Sequence, residues 1–367
     1  MFASSWKSLV AATLLAIHSA NAATTIPTSS SLVFYHGRWD SLPSSWWPSS
    51  GFKLAFTVAP KSLTLNVGAT ASTPPIQVGV RFGSSGEYTT LNLTAGANAL
   101  PVASLVPSNP TYPLTFDVVS LFEGGEARLE LQSIVLDDAA KLTTYTPKKV
   151  VLEFIGDSLT AGYLTPRGAL DDYAFKVGEA FSAEHNQIAQ SGICLHSLPS
   201  GCWGNPLGMD QNYFKTQNSA YQWLNGGTTT PWNVSAYGKD LPTHIIIALG
   251  TNDQSNNVTS AQFQGTYTTF LKNLRAVYPT QHIFAMSPWG YVDLVRVRKA
   301  VTELFLSYPY DGGVAPYWES ETAAAVSAAQ AGGDKKVYLM KGYGWLPYAA
   351  NNVRPKYLAG VSLNPLF

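Results

Sequence analysis

The stretch that decides the fold reads Phe154-Ile155-Gly156-Asp157-Ser158-Leu159-Thr160-Ala161-Gly162-Tyr163. An apolar run over 150–155 has the length and character of a buried strand. Gly156 then allows a tight turn, and Ser158 falls where a helix begins. At that position a backbone N–H and the positive end of a helix can stabilise a developing negative charge. A serine at such a turn is equally what a helix N-cap requires, so this turn alone leaves both readings open.

Further apolar runs follow at 243–249, 281–287 and 335–340, each ending in Gly, Ser or another loop signal. Helical patterns lie between them. Over 260–278, Phe263, Tyr267, Phe270, Leu271, Leu274 and Val277 recur at three- and four-residue steps. Thr259 and Gln262 form a capping-box pair at the start. Strands alternating with helices predict an α/β domain of three layers, α/β/α, around a parallel central sheet over 150–367. Ligands of such sheets bind outside the carboxyl ends of the strands. Two more loops of that kind stand out. In Gln190-Ser191-Gly192-Ile193-Cys194, Gly192 can bring a backbone N–H to a reacting centre, although a glycine in a turn is commonly only that. In Ala248-Leu249-Gly250-Thr251-Asn252-Asp253, Asn252 can donate its amide, or simply form an Asx-turn.

Upstream the period changes. From 28 to 138, runs such as 53–58, 62–67, 76–82 and 114–121 alternate with Gly, Pro, Ser and Asn, predicting an all-β sandwich of jelly-roll type. Residues 139–149 read as a linker. At the N-terminus, Lys7, the apolar run 9–17 and Ala20-Asn21-Ala22 make the three-part pattern of a secretory signal peptide over 1–22. Export suits the sequons at Asn92, Asn233 and Asn257. It also makes the two cysteines, Cys194 and Cys202, a candidate disulfide. A zinc site needs more ligands than that pair, and no spacing suggests another metal or a cofactor.

Composition narrows the partner. Among 367 residues, 23 Lys+Arg balance 23 Asp+Glu, and charged residues make up 13%, about half the ~25% usual in soluble proteins. That excludes the cationic footprint of a nucleic-acid binder and a polybasic membrane-surface protein. The 46% hydrophobic content excludes a disordered chain. With Trp 10, Tyr 19 and Phe 16, a neutral ligand such as a sugar fits best, bound by a monomer outside the cell.

The three loops together, in this order and at this spacing, resemble those of the SGNH, or GDSL-type, hydrolases. The resemblance implies that Ser158 is the nucleophile and that its N–H, that of Gly192 and the amide of Asn252 form the oxyanion hole. Gly37-Arg38-Trp39-Asp40, Trp46-Trp47-Pro48 and Gly51-Phe52-Lys53-Leu54 look like the sandwich that opens carbohydrate esterase family 2 members. Cys202-Trp203-Gly204-Asn205 and Ser287-Pro288-Trp289-Gly290 fit the same secreted group, which makes Trp203 and Trp289 cleft candidates. The implied activity is a serine esterase that removes acetyl groups from plant cell-wall polysaccharides such as xylan.

One element departs from the pattern. The family's base is a His in an Asp-x-x-His-Pro loop near the C-terminus. Here that place reads Asn351-Asn352-Val353-Arg354-Pro355, with Arg354 where the His is expected. Arginine stays protonated and cannot act as base. His18 leaves with the signal peptide, His36 belongs to the front domain, and His185, His244 and His282 start strands at the far end of the sheet. His196 alone lies on the loop side. The final stretch 361–367, with Pro365, is too short for a closing helix, so the expectation is a degenerate or truncated C-terminus. The alternative is a catalytically impaired homologue that binds carbohydrate through aromatic faces such as Trp203, Trp232 and Trp289.

Overall fold

The computed structural model describes residues 23–41, 43–69, 75–123, 128–221, 229–288, 291–292, 314–315 and 317–342. The signal-peptide segment, Trp289 and everything from 343 onward, including Asn351, Arg354 and the short terminal stretch, lie outside the described residues.

The front half is a sandwich of two antiparallel sheets. One is ordered Thr24–Pro27, Leu129–Leu136, Leu63–Val67, Gly96–Ala99. The other runs Lys141–Thr143, Gly51–Val58, Leu114–Ser120, Ile76–Phe82, Thr89–Leu93. Alternation explains the packing: Leu63, Leu65 and Val67 point inward, with half-buried Thr64 and Asn66 between them. With Phe52, Leu54, Phe56, Val78, Val80, Phe116, Val118 and Ile134 they form one buried cluster. Two boundaries differ from expectation. Thr24–Pro27 is already a strand of the sandwich, and Lys141–Thr143, read as linker, pairs with Gly51–Val58. Lys141-Leu142-Thr143 is too short and too polar to announce itself, and its pairing partner supplies what the local sequence lacks.

The second half is a five-stranded parallel sheet, ordered Glu184–Ala189, Val151–Gly156, His244–Ala248, His282–Met286, Val337–Met340. Helices Ser260–Val277 and Glu319–Ala331 pack on one face through Phe263, Tyr267, Phe270, Leu274, Ala325 and Val326. Helix Tyr173–Ala180 covers Leu152 and Phe154 on the other. The three-layer expectation holds, as does the capping box. Thr259 N–H donates to Gln262 Oε1 at 3.0 Å, and Gln262 N–H returns the bond to Thr259 Oγ1 at 3.3 Å.

The domains share a buried polar seam. Arg38 is fully buried, donating through Nε to the Tyr237 hydroxyl at 3.1 Å and through Nη1 to Lys215 O at 2.9 Å. Beneath it, Glu153 accepts from the hydroxyls of Tyr213 and Tyr237. A buried guanidinium needs such partners to offset its desolvation. Trp46 and Trp47, though on the front segment, sit in the core of the second domain. Trp232, half-buried, packs against Tyr237, ring centroids 4.9 Å apart, and against Arg38, so it belongs to this seam.

Candidate active site

Register brings the three loops together. Gly156 pairs with Ala189 on one side and Ala248 on the other. The strands therefore end side by side, where the sheet order reverses, which is the place ligands occupy in open α/β sheets.

From Gly156 the chain turns sharply. A Cβ there would lie 1.9 Å from Thr160 Oγ1, so only glycine permits the turn. Asp157 caps the four-residue helix Ser158–Ala161, accepting the Leu159 N–H at 3.0 Å. The cap is thus Asp157, and Ser158 is the first helical residue, partly exposed. That removes the N-cap explanation for the serine itself.

Gly192 has φ +76°, and a Cβ there would meet the Cβ of Trp203 at 2.8 Å. Both facts demand glycine. Its N–H has no hydrogen-bond partner among the described residues. Asn252, in the first turn of helix Thr251–Ser255, is 9% exposed and donates one amide hydrogen to Ile193 O at 2.9 Å. The second amide hydrogen stays available.

Asp253, which sequence reading passed over, ties the second loop to the third. Fully buried, it accepts the N–H groups of Leu195 at 2.7 Å and His196 at 2.9 Å. Burial pushes its carboxyl up to about 6 despite those bonds. Burial likewise pushes Asp157 up to about 7, with repulsion from Asp253 adding to it. The third loop is anchored from behind: Trp318 Nε1 donates to Gly250 O at 2.9 Å and the indole stacks on Phe263 at 4.4 Å.

Cys194 and Cys202 are disulfide-bonded. The bridge ends one residue before Trp203, an indole 67% exposed whose Nε1 donates to Ser255 Oγ at 3.2 Å. Trp203 therefore flanks Gly192 at the rim of the site.

The histidines stand elsewhere. His244 and His282 open their strands and stack on each other at 5.2 Å, and His185 faces Glu179 at 3.5 Å. His36 lies 3.5 Å from Asp117 in the front domain. The ring of His196 is turned to Thr266, Nδ1 to Oγ1 2.7 Å. Among the described residues no histidine hydrogen-bonds to Ser158.

Residues 154–336 match the GDSL-like Lipase/Acylhydrolase family. The C-terminal domain belongs to that family. With the sandwich ahead of it, the GDSL-like domain forms a two-part fold similar to several solved structures. One is a family two carbohydrate esterase from Cellvibrio japonicus, at 16% identity and TM-score 0.63, covering 87% of this chain and 88% of that one. Another is an acetyl xylan esterase from the rumen bacterium Butyrivibrio proteoclasticus, at 17% identity and TM-score 0.62, covering 87% and 90%. A third is a family two carbohydrate esterase from Clostridium thermocellum in complex with cellohexaose, at 24% identity and TM-score 0.57, covering 84% and 88%. At these identities the likeness is one of fold. No curated protein matches the chain.

Proposed function

We propose that the protein is a secreted carbohydrate esterase that removes acetyl groups from plant cell-wall polysaccharides or oligosaccharides by serine acyl transfer. The observation that carries this reading is the register that sets Ser158, the Gly192 N–H, unpartnered among the described residues, and the half-used Asn252 amide after three adjacent strand ends. In the first step Ser158 Oγ attacks the acetyl carbonyl carbon. The carbonyl oxygen takes up the negative charge, held by the N–H groups of Ser158 and Gly192 and the second amide hydrogen of Asn252. Collapse expels the sugar oxygen, which leaves with the proton that Ser158 Oγ gave up, and water then cleaves acetyl-Ser158 to acetate and a proton, restoring the Ser158 hydroxyl.

Export is supported by the disulfide and by the exposure of Asn92, Asn233 and Asn257, the three sequon asparagines. A carbohydrate ligand is supported by the exposed Trp203 at the rim and by the solved relatives.

A second reading rests on a specific observation, the lack of a histidine bonded to Ser158 among the described residues, together with Arg354 in the family's base position. A serine without a base is a poor nucleophile. On this reading the chain binds carbohydrate and turns over little. One experiment separates the two. Acetate release from acetylated xylan, with a burst from p-nitrophenyl acetate that Ser158→Ala abolishes, is the expected result. Retention on xylan without acetate release selects the binding protein instead.

A further inference from the structure

Ser191 is gripped through both of its backbone groups, the carbonyl of its peptide with Gly192 and the N–H of its peptide with Gln190. Its carbonyl, Ser191 O, accepts from Asn205 Nδ2 at 3.0 Å. One residue bond earlier, the Ser191 N–H donates to Glu123 Oε2 at 2.7 Å. A trans peptide is planar, with its C=O and N–H pointing in opposite directions. Fixing the Ser191 carbonyl therefore fixes the direction of the Gly192 N–H, which points away from Asn205 and has no partner among the described residues. Fixing the Ser191 N–H stops the preceding peptide from turning and undoing that orientation.

Both grips are themselves held. Asn205 is fully buried and bonds a second time to Cys202 O at 3.1 Å. Its backbone exchanges two further hydrogen bonds with Cys202, each 2.9 Å, and Cys202 is covalently joined to Cys194. Glu123 comes from the front domain, just after strand Leu114–Ser120. The adjoining Leu121 carbonyl accepts the Ala169 N–H of the second domain at 2.7 Å. Leu121 also packs with Leu170 and Phe175 in a cluster that spans both domains. The sandwich thus reaches into the loop beside the proposed nucleophile with a carboxylate.

We propose that Glu123 and Asn205 are positioning residues that aim the Gly192 N–H, so that the front domain completes the oxyanion hole of the second. The role of that hole rests on the esterase reading given above; the aiming of the N–H does not. Burial raises the Glu123 carboxyl, and the Ser191 N–H offsets part of that rise. Whether ionised or neutral, the group keeps an acceptor oxygen, so Glu123→Gln preserves the grip and Glu123→Ala removes it.

The test measures kcat and KM on p-nitrophenyl acetate, together with the backbone amide resonance of Gly192, in the full chain. Glu123→Ala should lower kcat about tenfold with KM unchanged, short of the ~10²–10³ that follows outright loss of an oxyanion donor. The Gly192 resonance should move in Glu123→Ala and return in Glu123→Gln, with kcat restored. Equal losses in both variants, or an unmoved Gly192 resonance and unchanged kcat in Glu123→Ala, overturn the proposal. Should the parent chain show no Ser158-dependent turnover, the esterase reading fails. The clamp is then judged by the resonance alone: movement in Glu123→Ala reversed by Glu123→Gln supports it, and any other pattern overturns it.

Discussion

The amide of Asn252 donates to the carbonyl oxygen of Ile193 at 2.9 Å, so the third loop takes its orientation from the residue after Gly192 on the second. That bond uses one amide hydrogen and fixes the plane of the group, which sets the direction of the other. Asn252→Ala removes the donor and the tether together. Loss of one oxyanion donor costs about 10²–10³ in rate, and kcat/KM on p-nitrophenyl acetate should fall by that order. Asn252→Asp, which places a carboxylate where an oxyanion forms, should fall at least as far. Both variants should still fold, with melting temperatures lowered by loss of the buried bond to Ile193 O, which costs about 1–3 kcal/mol. An Asn252→Ala enzyme that keeps its parent kcat/KM would remove Asn252 from the hole.

The raised carboxyls of Asp157 and Asp253 give these two groups a pH-dependent contribution to stability of defined direction. Asp157 is pushed up to about 7 and Asp253 to about 6, burial being the largest cause for each. In the unfolded chain an Asp carboxyl titrates near ~3.9. Between about pH 4 and 7 the native state therefore holds protons on them that the unfolded state has released, and this contribution falls as pH rises through that window. Asp157→Asn keeps an oxygen for the Leu159 N–H and removes the titration. It also relieves Asp253 of a neighbouring negative charge. Urea unfolding at several pH values should show a shallower decline between about pH 4 and 7 for Asp157→Asn than for the parent. Identical slopes in the two proteins would count against this account.

The residues that sequence reading found are those whose chemistry is local. Gly156-Asp157-Ser158, Gly192 and Asn252 each follow an element that hydropathy or turn chemistry marks, and the helix Ser260–Val277 is announced by its own cap. What stayed hidden depends on contacts distant in sequence. The strand expected at His185 is there, but it opens Glu-His-Asn-Gln, four polar residues, and the sequence does not announce that every residue of Glu184–Ala189 is buried. Their partners explain it: Glu184 meets Lys53, Asn186 donates to Asp240 at 3.2 Å, and Gln187 donates to Asp172 at 3.1 Å. Glu123 and Asn205 are of the same kind. Each acts through a backbone group of Ser191, and nothing in the sequence around a backbone acceptor or donor reveals who will bind it.

Breaking the Cys194–Cys202 bridge should affect both stability and rate. It closes a loop with a sequence separation of 8, and cross-links of about that size contribute roughly 2–3 kcal/mol by restricting the unfolded chain. The same bridge anchors Cys202, to which Asn205 is bonded. A Cys194→Ser, Cys202→Ser double variant should therefore unfold at a lower denaturant concentration and also lose kcat where it remains fully folded. A variant with lowered stability but parent kcat would confine the disulfide to a structural role.

Trp203 carries the prediction about substrate. Its backbone has φ +47°, a region that costs a non-glycine residue about 1–3 kcal/mol, and its indole is 67% exposed. A large apolar ring held in a strained conformation and left in solvent gains little for the fold. What it offers is a rigid face beside Gly192, oriented by the 3.2 Å bond from Nε1 to Ser255 Oγ. Stacking on an aromatic face is worth about 0.5–1.5 kcal/mol, a factor of about two to twelve in affinity. Trp203→Ala keeps the Cβ that abuts Gly192, so the acyl-transfer geometry should survive. KM for acetylated xylo-oligosaccharides should rise by about that factor, while kcat on p-nitrophenyl acetate, which has no sugar to stack, stays at the parent value. If both substrates lose kcat equally and KM for the oligosaccharide does not move, Trp203 supports the loop and does not hold the sugar.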